Sequence, residues 1–346
     1  MKVLVTGATG FVGFHVAVKL AGRGDDVRAL VRDEKAAPEL SRLGVEMIKG
    51  DVRDFGSVSG AARGCEEIYH LAADYRLWVP DPAQMYGTNV AGTVNVMRAA
   101  MESGAGRIVY TSTVGALAPS KKNGPPSTED TPVSLTDMTG HYKRSKFLAE
   151  REVEKFFAQK GLPVVIVNPS TPIGAMDRKP TPTGAMIVSF LNGKVPAYLD
   201  TGLNFVNVED VAEGHLLAAR YGKPGGKYIL GGHNMTLKDF YLELSAVSGI
   251  KAPSVKLPYL PVLAAAYVSE GFSRFFLFGK KPPAIPLTGV KMAGKYMFYD
   301  SAKAQRELGM PVTPVREAVR QAAEWFAANG YVSSGKTRKI GAAICI

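Results

Sequence analysis

Val3-Leu4-Val5-Thr6-Gly7-Ala8-Thr9-Gly10-Phe11-Val12-Gly13 opens the chain, and its reading decides the fold. A β-branched run meets three glycines and then an apolar helical stretch, which is how a strand turns into a helix over a dinucleotide. The glycine spacing is GxxGxxG, one residue longer in the first gap than the usual dinucleotide fingerprint. Gly7 permits a sharp exit from the strand, Gly10 lets backbone approach a pyrophosphate, and Gly13 lets the helix pack close to the sheet. The backbone from Thr9 through Phe11 and Val12 then offers helix N-terminal amides to phosphate.

Working outward, short β-branched runs recur at 27–31, 67–72, 108–112 and 164–167, separated by helix-like stretches, notably 13–21, 83–103 and 139–160. Such alternation predicts a parallel sheet covered on both faces. Right-handed crossovers make it a doubly wound α/β Rossmann domain over 1–170. After Asn168-Pro169 the texture changes, with Pro172, Pro180, Pro182 and Pro196 breaking the chain among Gly174, Gly184 and Gly193. This predicts a substrate loop leading into a smaller C-terminal substrate-binding domain over 171–332, with 205–221 returning to the first domain as strand and helix. The end, 333–346, carries Lys336, Arg338 and Lys339 and reads as a flexible basic tail.

The 346 residues suffice for two domains, and 46% hydrophobic content describes an ordinary globular chain. The start enters a strand directly, which predicts no signal peptide, and no uncharged apolar run reaches transmembrane length. Two cysteines, Cys65 and Cys345, make no disulfide framework, which fits a reducing cytoplasm. The net charge of +11 is dispersed and accompanies no nucleic-acid recognition module, so no nucleic-acid partner is expected. An anionic cofactor, an anionic membrane surface and plain solvated surface each account for it.

The second strand closes on Val31-Arg32-Asp33. An acidic tip would bond the ribose hydroxyls of NAD, whereas Arg32 can hold a 2′-phosphate bidentately, with Lys35 assisting. Arg32 at the tip favours NADP(H); a register shift of one residue would bring Asp33 there and restore NAD(H). Asp51-Val52 closes the third strand, where the carboxylate meets an adenine amino group or simply serves a turn.

Tyr142-Lys143-Arg144-Ser145-Lys146 is the second informative segment. On a helix Tyr142 and Lys146 are i and i+4, so phenol and ammonium share a face. A phenol with a pKa of about 10 is a poor base at neutral pH. A neighbouring ammonium and an oxidised nicotinamide both favour phenolate, and Lys146 also suits the nicotinamide ribose. Tyr110-Thr111-Ser112-Thr113 ends the fifth strand, where open α/β sheets bind ligands; either Ser112 or Thr113 can donate to a substrate oxygen.

With these segments together, the chain resembles the extended short-chain dehydrogenase/reductases of the NAD-dependent epimerase/dehydratase and dihydroflavonol-reductase group, from Met1 to about Val332. The resemblance implies a catalytic hydroxyl at Thr113, with Ser112 beside it, a catalytic base at Tyr142 and its helper at Lys146. It also implies cofactor contacts at Leu71, Ala72 and Ala73, at Asn89, at Thr111 and Ser112, and at Pro169 and Ser170 in the segment that passes the nicotinamide. Residues 72–78, 140–146 and 167–174, followed by Lys179-Pro180-Thr181-Pro182-Thr183-Gly184, further resemble hopanoid-associated sugar epimerases. That likeness implies a pathway better than it implies a reaction. The family resemblance also implies a homodimer on helices 83–103 and 139–160.

Tyr75, Arg76 and Trp78 follow the fourth strand, where an Arg beside aromatics binds a polyol or stacks on a ring; lid packing is the other reading. Thr171, Thr181 and Thr183 offer hydroxyls to a substrate or to turns. No cluster has metal-ligand spacing, and His70, His141 and His215 read as structural. Residues 257–281 join apolar bulk to Lys280-Lys281, which suits a peripheral helix on anionic lipid, a cap on the substrate domain, or a dimer contact. Three functions compete: NADP-dependent reduction of a carbonyl on a hopanoid side chain, sugar epimerisation or dehydration with retained cofactor and no net redox, and a non-catalytic dinucleotide sensor. Arg32 leans toward net reduction, and the intact Tyr142 and Lys146 count against a sensor.

Overall fold

In the computed structural model, which describes residues 1–122, 124–276, 282–337 and 340, the expected alternation builds a parallel sheet. Its first six strands are β1 (Lys2–Thr6), β2 (Asp26–Val31), β3 (Glu46–Lys49), β4 (Glu67–His70), β5 (Arg107–Thr111) and β6 (Val164–Pro169). The later strands are β7 (Thr171–Ile173), β8 (Ala197–Leu199), β9 (Gly202–Asn207), β10 (Lys227–Leu230), β11 (His233–Thr236) and β12 (Val255–Leu257). The sheet order is β3-β2-β1-β4-β5-β6-β10, with every neighbour parallel. This is the doubly wound, Rossmann-like arrangement, whose strand order reverses beside β1 and opens a ligand crevice at the carboxyl ends.

The helices of the first part are α1 (Phe11–Gly22), α2 (Pro38–Arg42), α3 (Phe55–Ala62), α4 (Pro82–Tyr86), α5 (Gly92–Ser103) and α6 (Gly140–Lys160). The second part adds α7 (Pro182–Leu191), α8 (Val208–Tyr221), α9 (Leu237–Ser248), α10 (Tyr259–Phe276), α11 (Leu287–Ala293), α12 (Ala302–Leu308) and α13 (Val315–Ala328). Side chains alternate across a strand, so the sequence parity sorts them between two helical layers. Val3, Val5, Val109, Val165 and Val167 meet α1, α8 and α12, while Leu4, Ile108, Tyr110, Val164 and Ile166 meet α3, α5 and α6. The same parity turns Tyr110 and Ser112 toward α6 and Thr111 toward α8.

Four expectations are revised. The stretch 83–103 is not one uniform helix, because a π-helical turn at Gly87–Ala91 joins α4 to α5 and carries Asn89, which is wholly buried. The third strand ends at Lys49, so Asp51 and Val52 lie in the loop beyond it. The strand at 205–208 does not enter the main sheet. As β9 it lies between β11 and β7 in a three-stranded sheet, held there by Phe205 stacked on Phe240 of α9 at 3.9 Å. The seventh main-sheet strand is β10, and α8 packs on α1 in the layer behind it.

The small domain closes α7, α9 and α13 over its sheet around a separate apolar cluster. Ile340 is buried in that cluster and 334–337 are helical, so the described part of the tail packs rather than frays. Lys280, Lys281, Arg338, Lys339 and Cys345 lie outside the described residues, and Cys65 is a buried free thiol. Among the described residues no helix is long and apolar enough to cross a membrane.

Candidate active site

The glycine turn is shaped by close backbone contacts. Gly7 leaves β1 at φ +78°, and a Cβ on it would lie 2.6 Å from the amide nitrogen of Ala72. A Cβ on Gly13 would overlap the carbonyl oxygen of Gly7. Gly10 caps α1 from extended backbone with no side chain over the helix end, leaving the first amides at Phe11 and Val12 beside exposed Thr9. At the opposite end, where β6 closes, the buried Oδ1 of Asn168 and Oγ of Ser170 have no hydrogen-bond partner. An open helix N-terminus, a cradle that a Cβ would fill, and orphaned polar atoms fit a dinucleotide along the strand ends.

At the outer end of that cradle Arg32 follows the last residue of β2 and is exposed. Hydrogen bonds from Arg53 to Asp51 and from Arg76 to Asp74 hold those carboxyls below the usual range, the latter against burial, with the Arg32 charge adding a smaller pull at each. Asp33 is turned back into its own loop, where its carboxylate accepts from the Lys35 amide at 3.0 Å. Asp51 pairs with Arg53 (2.8 and 3.1 Å) in the loop beyond β3. Val52 is buried against Gly92.

Under the centre runs one directed chain of hydrogen bonds. The Ala72 amide donates to Thr6 Oγ1 (3.3 Å), whose proton goes to His70 Nδ1 (2.7 Å). His70 Nε2–H donates to Thr93 Oγ1 (2.9 Å), and that hydroxyl donates to the Asn89 carbonyl (2.7 Å). This direction requires neutral His70, and burial pushes its pKa down to about 3. Asn89 then exchanges hydrogen bonds with the backbone of Asp74 (2.7 and 2.9 Å) and donates to Ser145 Oγ (2.9 Å). The Asn89 amide group is therefore spent on protein. It pins the 71–74 loop to α6 instead of facing the crevice.

The predicted reacting groups converge. Tyr142 is half-buried on α6, and burial raises its phenol pKa while the Thr113 hydroxyl, in hydrogen-bonding contact, lowers it. Thr113 Oγ1 accepts from the Gly115 amide (3.0 Å), which leaves its proton to donate. Lys146 Nζ donates to the Thr111 carbonyl (2.7 Å) and to Tyr110 Oη (2.9 Å), and burial pulls its pKa down to about 7. The side chains of Thr111 and Ser112 are engaged elsewhere, as strand parity dictates. The Thr111 hydroxyl donates to His215 Nε2 (2.8 Å), and Ser112 Oγ donates to Glu150 Oε2 (2.5 Å). Ser112 is thereby a brace, and Thr113 is the hydroxyl beside the phenol.

Glu150 and Tyr110 are functional neighbours that sequence reasoning missed. Glu150 is fully buried one turn past Lys146; it accepts from Asn168 Nδ2 (3.0 Å) and pairs with Lys227 (2.5 Å) and Arg151 (3.1 Å). Asn168 Nδ2 also donates to the Thr113 carbonyl (3.1 Å). The available signals were an acid at i+8 from Tyr142 on the inner face, and Tyr110 two residues before Ser112 on one strand face.

On the substrate side the predicted residues separate. Tyr75 is exposed, and partial burial raises its phenol pKa, with the charges of Asp177 and Asp74 adding to the effect. Arg76 is bound bidentately to Asp74, and Trp78 is half-buried. Thr181 caps α7 and donates to Asp177 (2.8 Å), Thr183 lies in the first turn of α7, and Thr171 begins β7. Burial raises the Asp177 pKa to about 6 against the Thr181 hydrogen bonds. No group of acids, histidines and cysteines suited to a metal occurs among the described residues.

Comparison with known proteins agrees with this geometry. The family model for the NAD dependent epimerase/dehydratase family matches residues 3–231. A "Putative dihydroflavonol 4-reductase" of Synechocystis sp. is 41% identical over 334 residues, spanning 95% of this chain and 96% of its own. The "Sterol demethylase protein B" of Methylococcus capsulatus is 32% identical, spanning 96% of this chain and 100% of its own. The crystal structure of gox2253 superposes with a TM-score of 0.84 at 46% identity, over 96% of this chain and 99% of that one.

Proposed function

Since the chain belongs to the NAD-dependent epimerase/dehydratase family and is an NAD(P)-dependent enzyme of the extended short-chain dehydrogenase/reductase type, we propose that it is an NADP(H)-preferring reductase of a carbonyl on a hopanoid-type triterpenoid side chain. The observation that carries the cofactor preference is Arg32, exposed at the tip of β2 while Asp33 is turned away into its loop. A guanidinium there suits a 2′-phosphate, while one oxygen of Asp33 is already engaged by the Lys35 amide. NADPH consumed stoichiometrically means net reduction. The lipid substrate rests on the likeness of residues 72–78, 140–146 and 167–174 to hopanoid-associated proteins, and it gains support from a relative named for sterol demethylation.

In this reading Tyr142 gives its phenolic proton to the substrate oxygen and Thr113 donates a hydrogen bond to the same oxygen, with Gly115 orienting the hydroxyl. Lys146, held by Tyr110 and the Thr111 carbonyl, biases the phenol toward phenolate after transfer. The reduced nicotinamide supplies hydride when bound. Ser170 and Asn168, with polar atoms free where β6 closes, would hold it there, and Tyr75 would cover the substrate. A second copy pairing through α5 and α6 completes the proposal and is checked by sedimentation equilibrium.

The test is mass spectrometry of hopanoids bearing oxidised side chains, incubated with the protein and NADPH, NADH or neither. A product heavier by two hydrogens, formed with NADPH, supports the reading. An isomer of unchanged mass with no cofactor consumed overturns it in favour of epimerisation. Arg32→Ala is expected to raise the NADPH KM by roughly 10- to 100-fold, from about 1.5–3 kcal/mol of charge-assisted bonding, and to leave the NADH KM unchanged.

A further inference from the structure

The helix α10 carries an apolar face that no described residue covers. Its inner side is short of bulk, with Ala266 and Ser273 buried and Ser269 accepting from the Ile285 amide at 3.0 Å. Its outer side presents Leu260, Val268 and Phe275 at 72, 74 and 76% exposure, flanked by Tyr267 at 52%. At a helical repeat of 100° these residues fall on one side of an 18-residue helix, a stripe roughly 22 Å long from Leu260 to Phe275. Contiguous apolar exposure on this scale marks a contact surface.

The charge around the stripe identifies the occupant. Among the described residues of 251–295, five lysines and arginines stand against a single acid, Glu270. Lys251, Lys256, Arg274, Lys291 and Lys295 are exposed, Lys291 standing 5.0 Å from the Tyr267 ring centre and Lys256 pairing with Asp200. A second protein copy would bring the same cations against themselves. An anionic bilayer meets both the apolar stripe and its basic fringe.

The location ties this face to the reacting groups. α10 packs on α11, and Thr288 of α11 presses on Gly140, so that a Cβ there would lie 2.6 Å from its methyl group. Gly140 precedes Tyr142 by two residues. We propose that α10 lies in the plane of an anionic phospholipid membrane and that the α10–α11 pair seats the mouth of the active site against it. A lipid substrate then passes from bilayer to Tyr142 without crossing water; that delivery step rests on the function proposed above, whereas the docking does not.

The test uses the full chain, without cofactor or hopanoid, sedimented with phosphatidylcholine vesicles that contain or lack phosphatidylglycerol, at low and high salt. The wild type is expected to pellet with the anionic vesicles and to be released by salt. Val268→Asp/Phe275→Asp is expected to weaken that binding about tenfold or more, and Lys291→Glu/Lys295→Glu several-fold, with NADPH binding of both variants unchanged as the check on folding. A wild type that stays in solution, a double-aspartate variant that pellets like wild type, or a lipid-free dimer that this variant dissociates would each overturn the proposal. Because neither substrate nor cofactor enters the vesicle measurement, its failure is separate from failure of the reductase reading.

Discussion

Replacing Glu150 by alanine removes a carboxylate that joins three elements beneath the reacting groups. One oxygen accepts from Ser112 and Asn168, and the other pairs with Lys227 and Arg151. Breaking a buried pair from one side costs about 3–5 kcal/mol, because the opposite charge stays behind. Here Glu154 lies 3.2 Å from Lys227 and 2.8 Å from Arg151 and takes up part of that charge, which argues for the lower end, about 3 kcal/mol. At about 1.4 °C per kcal/mol for a chain of 346 residues, Tm should fall by about 4 °C. Activity should fall as well, since Asn168 loses its second anchor and with it the grip on the Thr113 carbonyl. Glu150 also holds the Lys146 pKa up against burial, so its loss leaves less ammonium below Tyr142 at neutral pH. Urea unfolding of Glu150→Ala, Lys227→Met and the double variant forms the cycle, with coupling expected above about 1 kcal/mol. Additive effects, or a single variant within about 0.5 kcal/mol of wild type, would refute the bracing role.

The other predictions follow from equally local contacts. Gly13→Ala drives a methyl into the Gly7 carbonyl, so NADPH affinity should fall at least about tenfold and stability by about 1–3 kcal/mol, measured by fluorescence titration and urea unfolding. Tyr142→Phe should lower kcat by roughly 10²–10⁴-fold while NADPH affinity stays within about twofold, and Thr113→Ser should keep more activity than Thr113→Val. His70 and His215 are held neutral by burial, with pKa values pushed down to about 3 and about 4. Below about pH 6.5 the unfolded chain binds protons that these native histidines refuse, so stability falls with pH by up to about 1.4 kcal/mol per unit for each. Comparing urea midpoints near pH 7 and pH 5, wild type should lose about 2 kcal/mol more than His215→Gln; equal losses would mean that His215 already accepts a proton in the fold.

Legibility in the sequence tracked the range of the interaction. Gly7, Gly10 and Gly13 were readable because their constraint lies within one turn, and Tyr142 with Lys146 because a helix places i and i+4 together. Arg32 and Asp33 are adjacent in sequence and spacing does not rank them; β2 ends at Val31 and the Lys35 amide bonds one oxygen of Asp33. The pairing of 205–208 was not readable, since an apolar strand fits either sheet and the choice rests on Phe240 and β11. The π turn at Gly87–Ala91 keeps a helical pattern in sequence, and only its buried Asn89 betrays the extra residue. Period-two alternation turns Thr111 away from Tyr110 and Ser112, so its hydroxyl meets His215 on α8. Glu150 is the opposite case. Its position on the inner face of α6 was legible, but an acid there is tolerable only because Lys227 arrives on β10, and no local pattern in α6 announces that strand. Tyr142 and Lys146 are thus written in one helix, whereas what keeps them aligned is contributed by β5, β6 and β10; under the proposed mechanism, substitutions on those strands should change turnover without touching a reacting atom.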